Sequence, residues 1–573
     1  MPQQASRPGL RRILASTILC LSSGASLVQA HDRPSGPVQK TRSAVVARHG
    51  MAATSQPLAT AAAIRVLQEG GNAIDAAIAA NAVLGVVEPM SCGLGGDLFA
   101  IVWDAKTKTL YGLNASGRAP YAATLDFYAS KGLREIPAQG PLSWSVPGCV
   151  DGWDQLRRRF GSKDWPALLA PAIHYAEDGF PVSEIIADDW QSSARSLAKV
   201  PTTAATFLPG GKAPENGDIF RNPNLAASLR AIASDGRDAF YRGPIADAIL
   251  AYSNQVDGLF ARKDFDDHTS TWIQPVSTNY RGYEVWELPP NGQGIAALQM
   301  LNLLEPYDLK SLGANSAESL HLMIEAKKLA YEDRAKFYAD PEFSKVPVAA
   351  LISKEYAATR APLIHRDRAN DRPIPGEPAG ADTIYMTVVD KDFNAVSLIQ
   401  SNFNGFGSQH VPGTLGFPLQ NRGCLFALDP NHANRLAPHK RPFHTIIPGF
   451  VTKQGQPWLS FGVMGGDMQA QGHAQVLSNM IDHGMDVQDA GDAARFRHAG
   501  SSDPTGTPAK EGGTVALESE IGPEVRRALE AKGHKIVDSR GGFGGYQAIR
   551  IDVTRGVLIG GSDPRKDGCA SGY

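Results

Sequence analysis

The chain has 573 residues, which predicts about two to four domain-sized units or one large layered enzyme fold. Its 56 Lys and Arg residues nearly balance 58 Asp and Glu, and this balance argues against a nucleic-acid binder with a broad basic surface. A charged share of 20% beside a hydrophobic share of 43% argues against disorder as the main state.

Residues 1–30 have the layout of a secretory signal peptide. Arg7, Arg11 and Arg12 precede an apolar stretch at 13–21, and small residues ending at Ala30 follow. The apolar stretch is too short to span a bilayer, and no run of 18 apolar residues follows it. We therefore expect a periplasmic or secreted protein with no membrane association after signal removal. The alternative is a disordered tail that is apolar by coincidence.

The helical predictions rest on apolar periodicity and on breakers at the ends. Residues 31–46 are polar and are predicted to form a mobile leader, while 120–310 mix helical stretches and loops. Asn315 with Glu318 predicts a helix N-cap. The predicted helices cover 57–69, 73–87, 317–338 and, approximately, 470–484 and 522–532.

The predicted strands concentrate in the last third of the chain. A charged segment rich in Pro and Gly, 366–382, is predicted to be a flexible linker that ends directly before Thr383. Runs of strands beside runs of helices predict an α+β fold with layered αββα sheets. The predicted strands are 99–103, 109–113, 383–389, 395–400, 446–452, 458–463, 548–553 and 556–559.

The cysteines and histidines give no metal pattern. Cys20 leaves with the signal peptide, so Cys92, Cys149, Cys424 and Cys569 remain. Export permits disulfides in any of three pairings, and buried free thiols are equally compatible with a chain of this size. The 14 histidines include no His-Glu-x-x-His sequence, so we expect no metal ligands among them.

Four separated motifs carry a family resemblance. They are PMSCGLGGDLF at 89–99, LMIEAKKLAYEDR at 322–334, DTIYMTVVDKDFNAVS at 382–397 and GSDPRKDG at 561–568. In this order they resemble the gamma-glutamyltransferase (gamma-glutamyltranspeptidase) family, which has cephalosporin acylases among its relatives. The resemblance extends from about residue 44 to 573.

The resemblance implies an N-terminal nucleophile hydrolase made as one self-cleaving precursor. The cut is expected between Asp382 and Thr383, giving a large subunit at 31–382 and a small subunit at 383–573. The two subunits are expected to stay intertwined in one four-layer αββα unit. No metal or organic cofactor is needed by this mechanism.

The chemistry of a terminal threonine agrees with that expectation. A threonine hydroxyl needs a neighbouring base to become a nucleophile. A free N-terminal Thr383 would carry its own base, an α-amine with a reference pKa of about 7.7–8.0. That amine exists only after the cut, so activity should require cleavage. The alternative is an ordinary threonine at the start of a strand.

Two further positions match the catalytic machinery of the family. Ser401 matches a threonine whose hydroxyl contacts the nucleophile, although it is equally compatible with a strand-end serine bonded to backbone. Gly465 and Gly466 match a glycine pair at the oxyanion hole, where backbone N–H groups approach a developing oxyanion closely. Their alternative is a plain glycine turn.

The substrate-binding positions depart from the family pattern. Ser116 stands where the family has an arginine, and Arg118, two residues later, is a candidate replacement. His444 and Thr445 replace a pair of serines that helps to hold the donor carboxylate. His444 is equally compatible with a place in the core.

A second set of departures affects recognition of an ammonium group. Leu425 occupies the position of an amine-binding aspartate, Phe403 replaces an asparagine, and Arg422 stands where an amide is common. The stretch between Phe426 and Lys440 is shorter than the family's lid loop. An acyl group with a carboxylate but no ammonium would suit this pocket, although Arg422 is equally compatible with a structural ion pair.

Three functions follow as hypotheses. The first is a gamma-glutamyltransferase or glutathione hydrolase that attacks a γ-glutamyl amide through Thr383 and passes the acyl group to water or an amine. The second, typical of the acylase-like branch, is a cephalosporin-acylase-like or oxamate-amidase-like amidohydrolase on an amide without the ammonium. The third is a non-catalytic binding protein on the same fold.

Overall fold

The computed structural model describes residues 41–371, 382–509 and 511–573, without the side chains of Asp382 and Thr383. The predicted signal peptide and residues 372–381 of the predicted linker therefore lie outside the described residues. Two seven-stranded sheets, each antiparallel throughout, form the centre of this part of the chain.

The strands of the described residues are short, and many were not predicted. They are β1 (Val45–Ala47), β2 (Gly50–Thr54), β3 (Asp97–Asp104), β4 (Thr109–Ala115), β5 (Phe180–Pro181), β6 (Ile219–Phe220), β7 (Thr271–Ile273), β8 (Val276–Tyr280), β9 (Tyr283–Glu287), β10 (Asp382–Asp390), β11 (Ala395–Phe403), β12 (Gly449–Lys453), β13 (Gln456–Met464), β14 (Phe496–Ala499), β15 (Thr514–Leu517), β16 (Ile536–Val537), β17 (Gly545–Asp552), β18 (Val557–Ser562) and β19 (Cys569–Gly572).

The helices occupy the outer layers and the long middle part of the chain. They are α1 (Pro57–Gln68), α2 (Ala73–Val87), α3 (Leu125–Ser130), α4 (Cys149–Phe160), α5 (Trp165–Asp178), α6 (Glu184–Leu197), α7 (Pro201–Phe207), α8 (Pro223–Asp235), α9 (Arg237–Tyr241), α10 (Pro244–Gln255), α11 (Arg262–Asp266), α12 (Gly294–Leu304), α13 (Leu309–Leu312), α14 (Ala317–Phe337), α15 (Val348–Leu351), α16 (Lys354–Arg360), α17 (Met468–Ile481), α18 (Val487–Asp492) and α19 (Pro523–Ala531).

Strand alternation builds four layers, α-β-β-α. The first sheet has the order β19-β2-β10-β11-β3-β4-β7 and the second β1-β18-β17-β13-β12-β9-β8. On β10, Tyr385 and Val389 face the core between the sheets. Ile384, Met386 and Val388 face the opposite side, where α1 and α2 pack. Because alternate side chains of a strand point to opposite faces, both faces of each sheet are buried. The predicted α+β sandwich is confirmed.

Most predicted elements are confirmed, and three details are wrong. The predicted leader already contains β1, whose Val45 pairs with Gly560. The N-cap of α14 is Ser316, whose hydroxyl accepts the N–H of Ser319 at 3.1 Å, because Asn315 takes a positive φ and its amide donates to Ala494 O. The strand predicted from 446 begins only at residue 449.

All four cysteines in the described residues are free thiols. Cys92 and Cys149 are buried, and Cys424 and Cys569 are partly exposed. Of the two readings that the sequence allowed, the structure has the one without disulfides. None of the helices at 41–371, 382–509 or 511–573 combines the length and apolar character that a bilayer crossing requires.

Candidate active site

The start of β10 pairs irregularly with the neighbouring strand β11. Asp382 pairs with Phe403 and Ile384 with Gln400, so Ser401 and Asn402 stand opposite the single residue Thr383. This two-against-one arrangement is a β-bulge, a feature that re-aims side chains and is frequent beside active sites. The register therefore brings the predicted pair Thr383 and Ser401 together on adjacent strands.

The bulge continues into an unusual backbone conformation at Phe403. This residue has φ +80°, a left-handed value that is uncommon for an aromatic residue. Its N–H donates to the hydroxyl of Ser401 at 2.8 Å. The predicted hydroxyl group therefore supports the backbone where β11 ends. The Phe403 ring in turn lies 4.7 Å from the guanidinium of Arg422.

Residues 465–467, the glycine turn, follow β13 and lead into α17. Gly465 has φ +117° and Gly466 φ +56°, and a Cβ on Gly465 would lie 3.1 Å from the Cα of Gly544. The carbonyls of Gly465 and Gly466 accept the N–H groups of Met468 and Gln469. The carbonyls of the turn are therefore occupied by hydrogen bonds within the protein. The backbone N–H groups are the groups of the turn that can donate hydrogen bonds to a developing oxyanion.

Buried side chains brace the glycine turn from α14 and from the start of α12. Gln293 donates from Nε2 to the carbonyl of Gly466 at 2.9 Å. Arg334 donates to Oε1 of Gln293 at 2.7 Å and also forms a close ion pair with Asp467. Tyr331 donates its hydroxyl to the carbonyl of Asp467. The turn is therefore fixed before any ligand binds.

The Arg422 cluster consists of Arg422, Thr445, His444 and Asp97, all buried. Nη1 of Arg422 donates to the hydroxyl of Thr445 at 2.9 Å. Nε and Nη2 of Arg422 have no hydrogen-bond acceptor among the described residues. Burial lowers the pKa of Arg422 to about 9, against the opposing effect of Asp97, so the guanidinium stays charged at neutral pH.

Asp97 orients His444 within this cluster. The ring Nε2 of His444 lies 3.1 Å from Oδ2 of Asp97, and its Nδ1 faces the N–H of Ile446. Burial keeps the pKa of His444 well below its usual range, so the ring is neutral and Nε2 is the donor. Burial also raises the pKa of Asp97 to about 7, although nearby Arg422 opposes this change. Oδ1 of Asp97 accepts from Gln420 at 2.6 Å.

Gln293 joins the glycine turn to the Arg422 cluster. The same Nε2 that contacts Gly466 donates to the carbonyl of Thr445 at 2.6 Å. Thr445 is the residue that holds Arg422. One amide therefore connects the two predicted parts of the site.

Arg118 lies apart from both groups. Its guanidinium donates to Glu342 at 3.0 Å and to the carbonyl of His439 at 3.2 Å, and Asp340 lies 3.8 Å away. None of these partners belongs to the glycine turn or to the Arg422 cluster. A substrate role for Arg118 stays a prediction.

A different arginine occupies the neighbourhood of Ser116. Arg441 donates to the carbonyl of Ser116 and, at 3.1 Å, to its hydroxyl, and its other nitrogen reaches the carbonyl of Thr269 at 3.0 Å. Burial lowers the pKa of Arg441 to about 10. A cation therefore does stand beside position 116, but it comes from a distant part of the chain.

A cavity of about 930 Å³ opens on the side of the turn at Gly465. Met464, Gly465, Asn404 and Gly405 form the part nearest the site. The segment from Phe426 to Lys440 closes on itself through the N–H of Leu436, which donates to Ala427 O at 2.9 Å.

Sequence reasoning missed several residues of the site. Asp97 and Arg334 lie inside the quoted family motifs, and their position there was a signal that could have identified them. Gln293 and Arg441 lie outside those motifs, and their roles depend on contacts with residues more than one hundred positions away. No local pattern could have identified them.

One group outside the site brings possible metal ligands together. Ligand atoms of His321, Glu325 and His534 lie within 4.8 Å of one another. Nδ1 of His321 is 2.8 Å from Nε2 of His534, and Glu325 pairs with Lys328 at 2.8 Å. These groups satisfy one another, and the neighbouring ammonium is unfavourable for a bound cation, so we read the group as structural.

The four-layer α-β-β-α arrangement is the fold of one class of proteins, the N-terminal nucleophile hydrolases. The family model of gamma-glutamyltranspeptidase matches residues 59–573, and the chain belongs to that family. The glutathione hydrolase-like YwrD proenzyme of Bacillus subtilis is 38% identical over 92% of this chain and 99% of its own length. The acylase ACY 1 proenzyme of Pseudomonas sp. (strain SE83) is 37% identical over 91% and 92%.

A solved structure of cephalosporin acylase from Bacillus halodurans shares the fold. It superposes with a TM-score of 0.87 at 41% identity, over 95% of this chain and 99% of that one. With relatives that are hydrolases and acylases, the chain is an enzyme of the amidohydrolase type. The predicted family is confirmed.

Proposed function

We propose that the chain cuts itself between Asp382 and Thr383 and then uses Thr383 as an N-terminal nucleophile. The bulge opposite Ser401 supports this proposal, because it sets residue 383 against two residues of β11 at the start of a central strand. The products would be a large part ending at Asp382 and a small part beginning at Thr383. Residues 1–30 would act as a signal peptide for export, and the mature enzyme would work in the periplasm or outside the cell.

The proposed reaction needs no group beyond the chain and its substrates. The α-amine of Thr383 takes the hydroxyl proton while the oxygen attacks the amide carbon. The negative charge on the carbonyl oxygen is stabilised by N–H groups of Gly465 and Gly466. The C–N bond then breaks, the amine leaves with the proton, and an ester to Thr383 remains. Water or another amine attacks the ester, releases the acyl group and restores the hydroxyl.

The unmatched donors of Arg422 carry the substrate assignment. A buried guanidinium with two nitrogens unmatched in the described part of the chain favours an acyl group that brings a carboxylate. The position expected to bind an α-ammonium is Leu425, and the nearby Asp97 already accepts hydrogen bonds from Gln420 and the N–H of Gly117. We therefore propose an amide of a dicarboxylic acid without an α-ammonium, such as a glutaryl amide.

A γ-glutamyl amide such as glutathione is the second candidate. It is favoured by the relative with 38% identity, whose name is glutathione hydrolase-like. The γ-glutamyl group carries the same kind of carboxylate for Arg422 together with the ammonium. A non-catalytic binding protein is a weaker third possibility, because the residues needed for catalysis are present.

The decisive experiment compares the cleavage of two anilides by the matured protein. Glutaryl-4-nitroanilide and γ-glutamyl-4-nitroanilide share the scissile bond and the leaving group, so kcat/KM compares the acyl groups. We expect a preference of about tenfold or more for glutaryl, the size of one charge-assisted interaction. A preference for γ-glutamyl would replace the first candidate by the second. An intact chain that cleaves neither substrate would contradict both.

A further inference from the structure

The far wall of the cavity beside Gly465 is built from segments that the catalytic proposal does not use. Arg497 belongs to β14, and Arg540 lies in the loop between β16 and β17. Glu518 and Glu520 follow β15, and Arg565 and Lys566 follow β18. These charged side chains line the same cavity as Gly465, whereas Gln293 does not line it.

The charges on this wall are unequally compensated. Arg565 is bound tightly by Glu518, with Nε to Oε1 at 2.6 Å, and also contacts Asp563. Lys566 lies 3.7 Å from Asp189. These cations are therefore already matched by carboxylates of the protein.

Two arginines on the wall are left for a ligand. The guanidinium of Arg497 reaches only a serine hydroxyl, Oγ of Ser539 at 3.4 Å, and its Nε has no acceptor in the described part of the chain. Arg540 is exposed and forms no ion pair with any residue at 41–371, 382–509 or 511–573. Glu520 is the carboxylate on the wall that remains to offset them, so the wall carries a net positive charge.

We propose that this wall is the subsite for the amine half of the substrate and that Arg497 and Arg540 select amines bearing a carboxylate. The inference rests on the proposed function, which directs the acyl half towards the Arg422 cluster. The two halves of an amide extend in opposite directions from the carbon under attack. Gly465, Arg497 and Arg540 line this cavity and no member of the Arg422 cluster does, so an amine half that extends away from the cluster would enter it. Guanidinium groups bind carboxylates by paired, charge-assisted hydrogen bonds.

The first test varies only the leaving group. Glutaryl-4-nitroanilide is compared with glutaryl-3-carboxy-4-nitroanilide, whose amine product is 5-amino-2-nitrobenzoate. We expect wild-type kcat/KM to favour the carboxylated anilide, with most of the gain in KM. The double variant Arg497→Gln/Arg540→Gln should lower that preference by roughly tenfold, since each exposed pair contributes up to about fivefold. Raised salt should weaken it as well.

The control is Arg555→Gln, an exposed arginine in the turn between β17 and β18 that lies outside the cavity lining. It should leave the preference ratio unchanged. An equal preference in wild type and double variant would overturn the inference while leaving the catalytic proposal intact. If γ-glutamyl rather than glutaryl amides are cleaved, the matched pair of γ-glutamyl anilides gives the same comparison.

A binding measurement separates the subsite from catalysis. Calorimetric titration of 5-amino-2-nitrobenzoate and of 4-nitroaniline into the matured protein needs no turnover. Tighter binding of the carboxylated amine by wild type, lost in the double variant, would support the subsite even if neither anilide were cleaved. Equal and weak binding of both amines would overturn it.

Discussion

The glycine turn and the Arg422 cluster are joined by Gln293, yet they are built in opposite ways. The turn is made of backbone, opens on a cavity and is held by hydrogen bonds to its carbonyls. The cluster is made of side chains, is fully buried and retains charge. In the proposed mechanism, the first stabilises any carbonyl oxygen that develops negative charge, whereas the second distinguishes one acyl group from another. In that mechanism, backbone groups of the turn determine the reaction type, and side chains of the cluster determine the substrate preference.

In the proposed mechanism, this difference makes the two regions respond differently to substitution. A turn fixed by Gln293, Arg334 and Tyr331 has little freedom to vary without loss of the chemistry. The residues around Arg422 can change by substitution of single side chains, as the departures from the family pattern at Leu425 and Phe403 illustrate. We expect substitutions at the turn to reduce rate on every substrate and substitutions in the cluster to redirect preference.

The largest effect is expected at Thr383, the proposed nucleophile. Thr383→Ala removes the proposed nucleophile of both cleavage and turnover, so the purified protein should be one uncut, inactive chain. Thr383→Ser keeps a hydroxyl at the same place and should still be cut. Intact mass measurement with an anilide assay checks both variants. A Thr383→Ala chain cut before residue 383 would contradict the proposal.

Gly465→Ala should distort the glycine turn and reduce turnover of every substrate. The positive φ strains any residue with a side chain, and the added methyl group would lie 3.1 Å from the Cα of Gly544, so the turn and its N–H groups should shift. We expect kcat to fall by about 10²–10³, the usual effect of losing an oxyanion donor. Gly455→Ala is the matched control, because Gly455 also has a positive φ but lies in the turn between β12 and β13 with open space around it. Equal loss in both variants would indicate general strain rather than catalysis.

Arg422→Gln should change the preference among acyl groups rather than the chemical step itself. Loss of one charged partner costs about 1.5–3 kcal/mol, so kcat/KM for the glutaryl anilide should fall about ten- to a hundredfold. A neutral acyl anilide such as the butyryl compound should be affected much less. Arg118→Gln is the comparison variant, because Arg118 is a buried arginine already paired with Glu342. If Arg118→Gln alone weakened glutaryl cleavage, the donor arginine would be residue 118.

The smallest effect is a pH dependence of stability from Asp97. Its folded pKa of about 7 is higher than the unfolded value of about 3.9, so folding favours the protonated form. The free energy of unfolding should therefore fall as pH rises from about 4 to 7 and level off above that. Between pH 5 and 7 the fall should be about 2 kcal/mol. Asp97→Asn should abolish this contribution.

Urea unfolding of the uncut Thr383→Ala chain, with and without Asp97→Asn, measures this difference on a single polypeptide. The difference between the two proteins matters, because other carboxylates titrate equally in both. A difference that stays constant from pH 5 to pH 7 would show that Asp97 is already ionised in the folded cluster.

Much of the fold followed from local signals. The Ala-rich pair α1 and α2, the helix α14 and the hairpin of β10 and β11 each had a clear period with breakers at its ends. The short edge strands β1, β7 and β19 escaped prediction because they have three or four residues and depend on pairing with distant strands. The false cap at Asn315 shows the same limit, since Ser316 beside it was an equally good capping residue.

The sequence by itself determined the family and the layered α+β fold, because four motifs are read along the chain. It also predicted Thr383, which lies in one of those motifs, and Ser401, Gly465 and Gly466 from their match to family positions. Only the tertiary structure decided which arginines stand where. Arg422 is buried beside Thr445 with two unmatched donors, Arg118 is paired elsewhere, and Arg441 occupies the space near Ser116. The physical reason is that the environment of a charge depends on the neighbours that distant strands bring to it, and no local pattern encodes those neighbours.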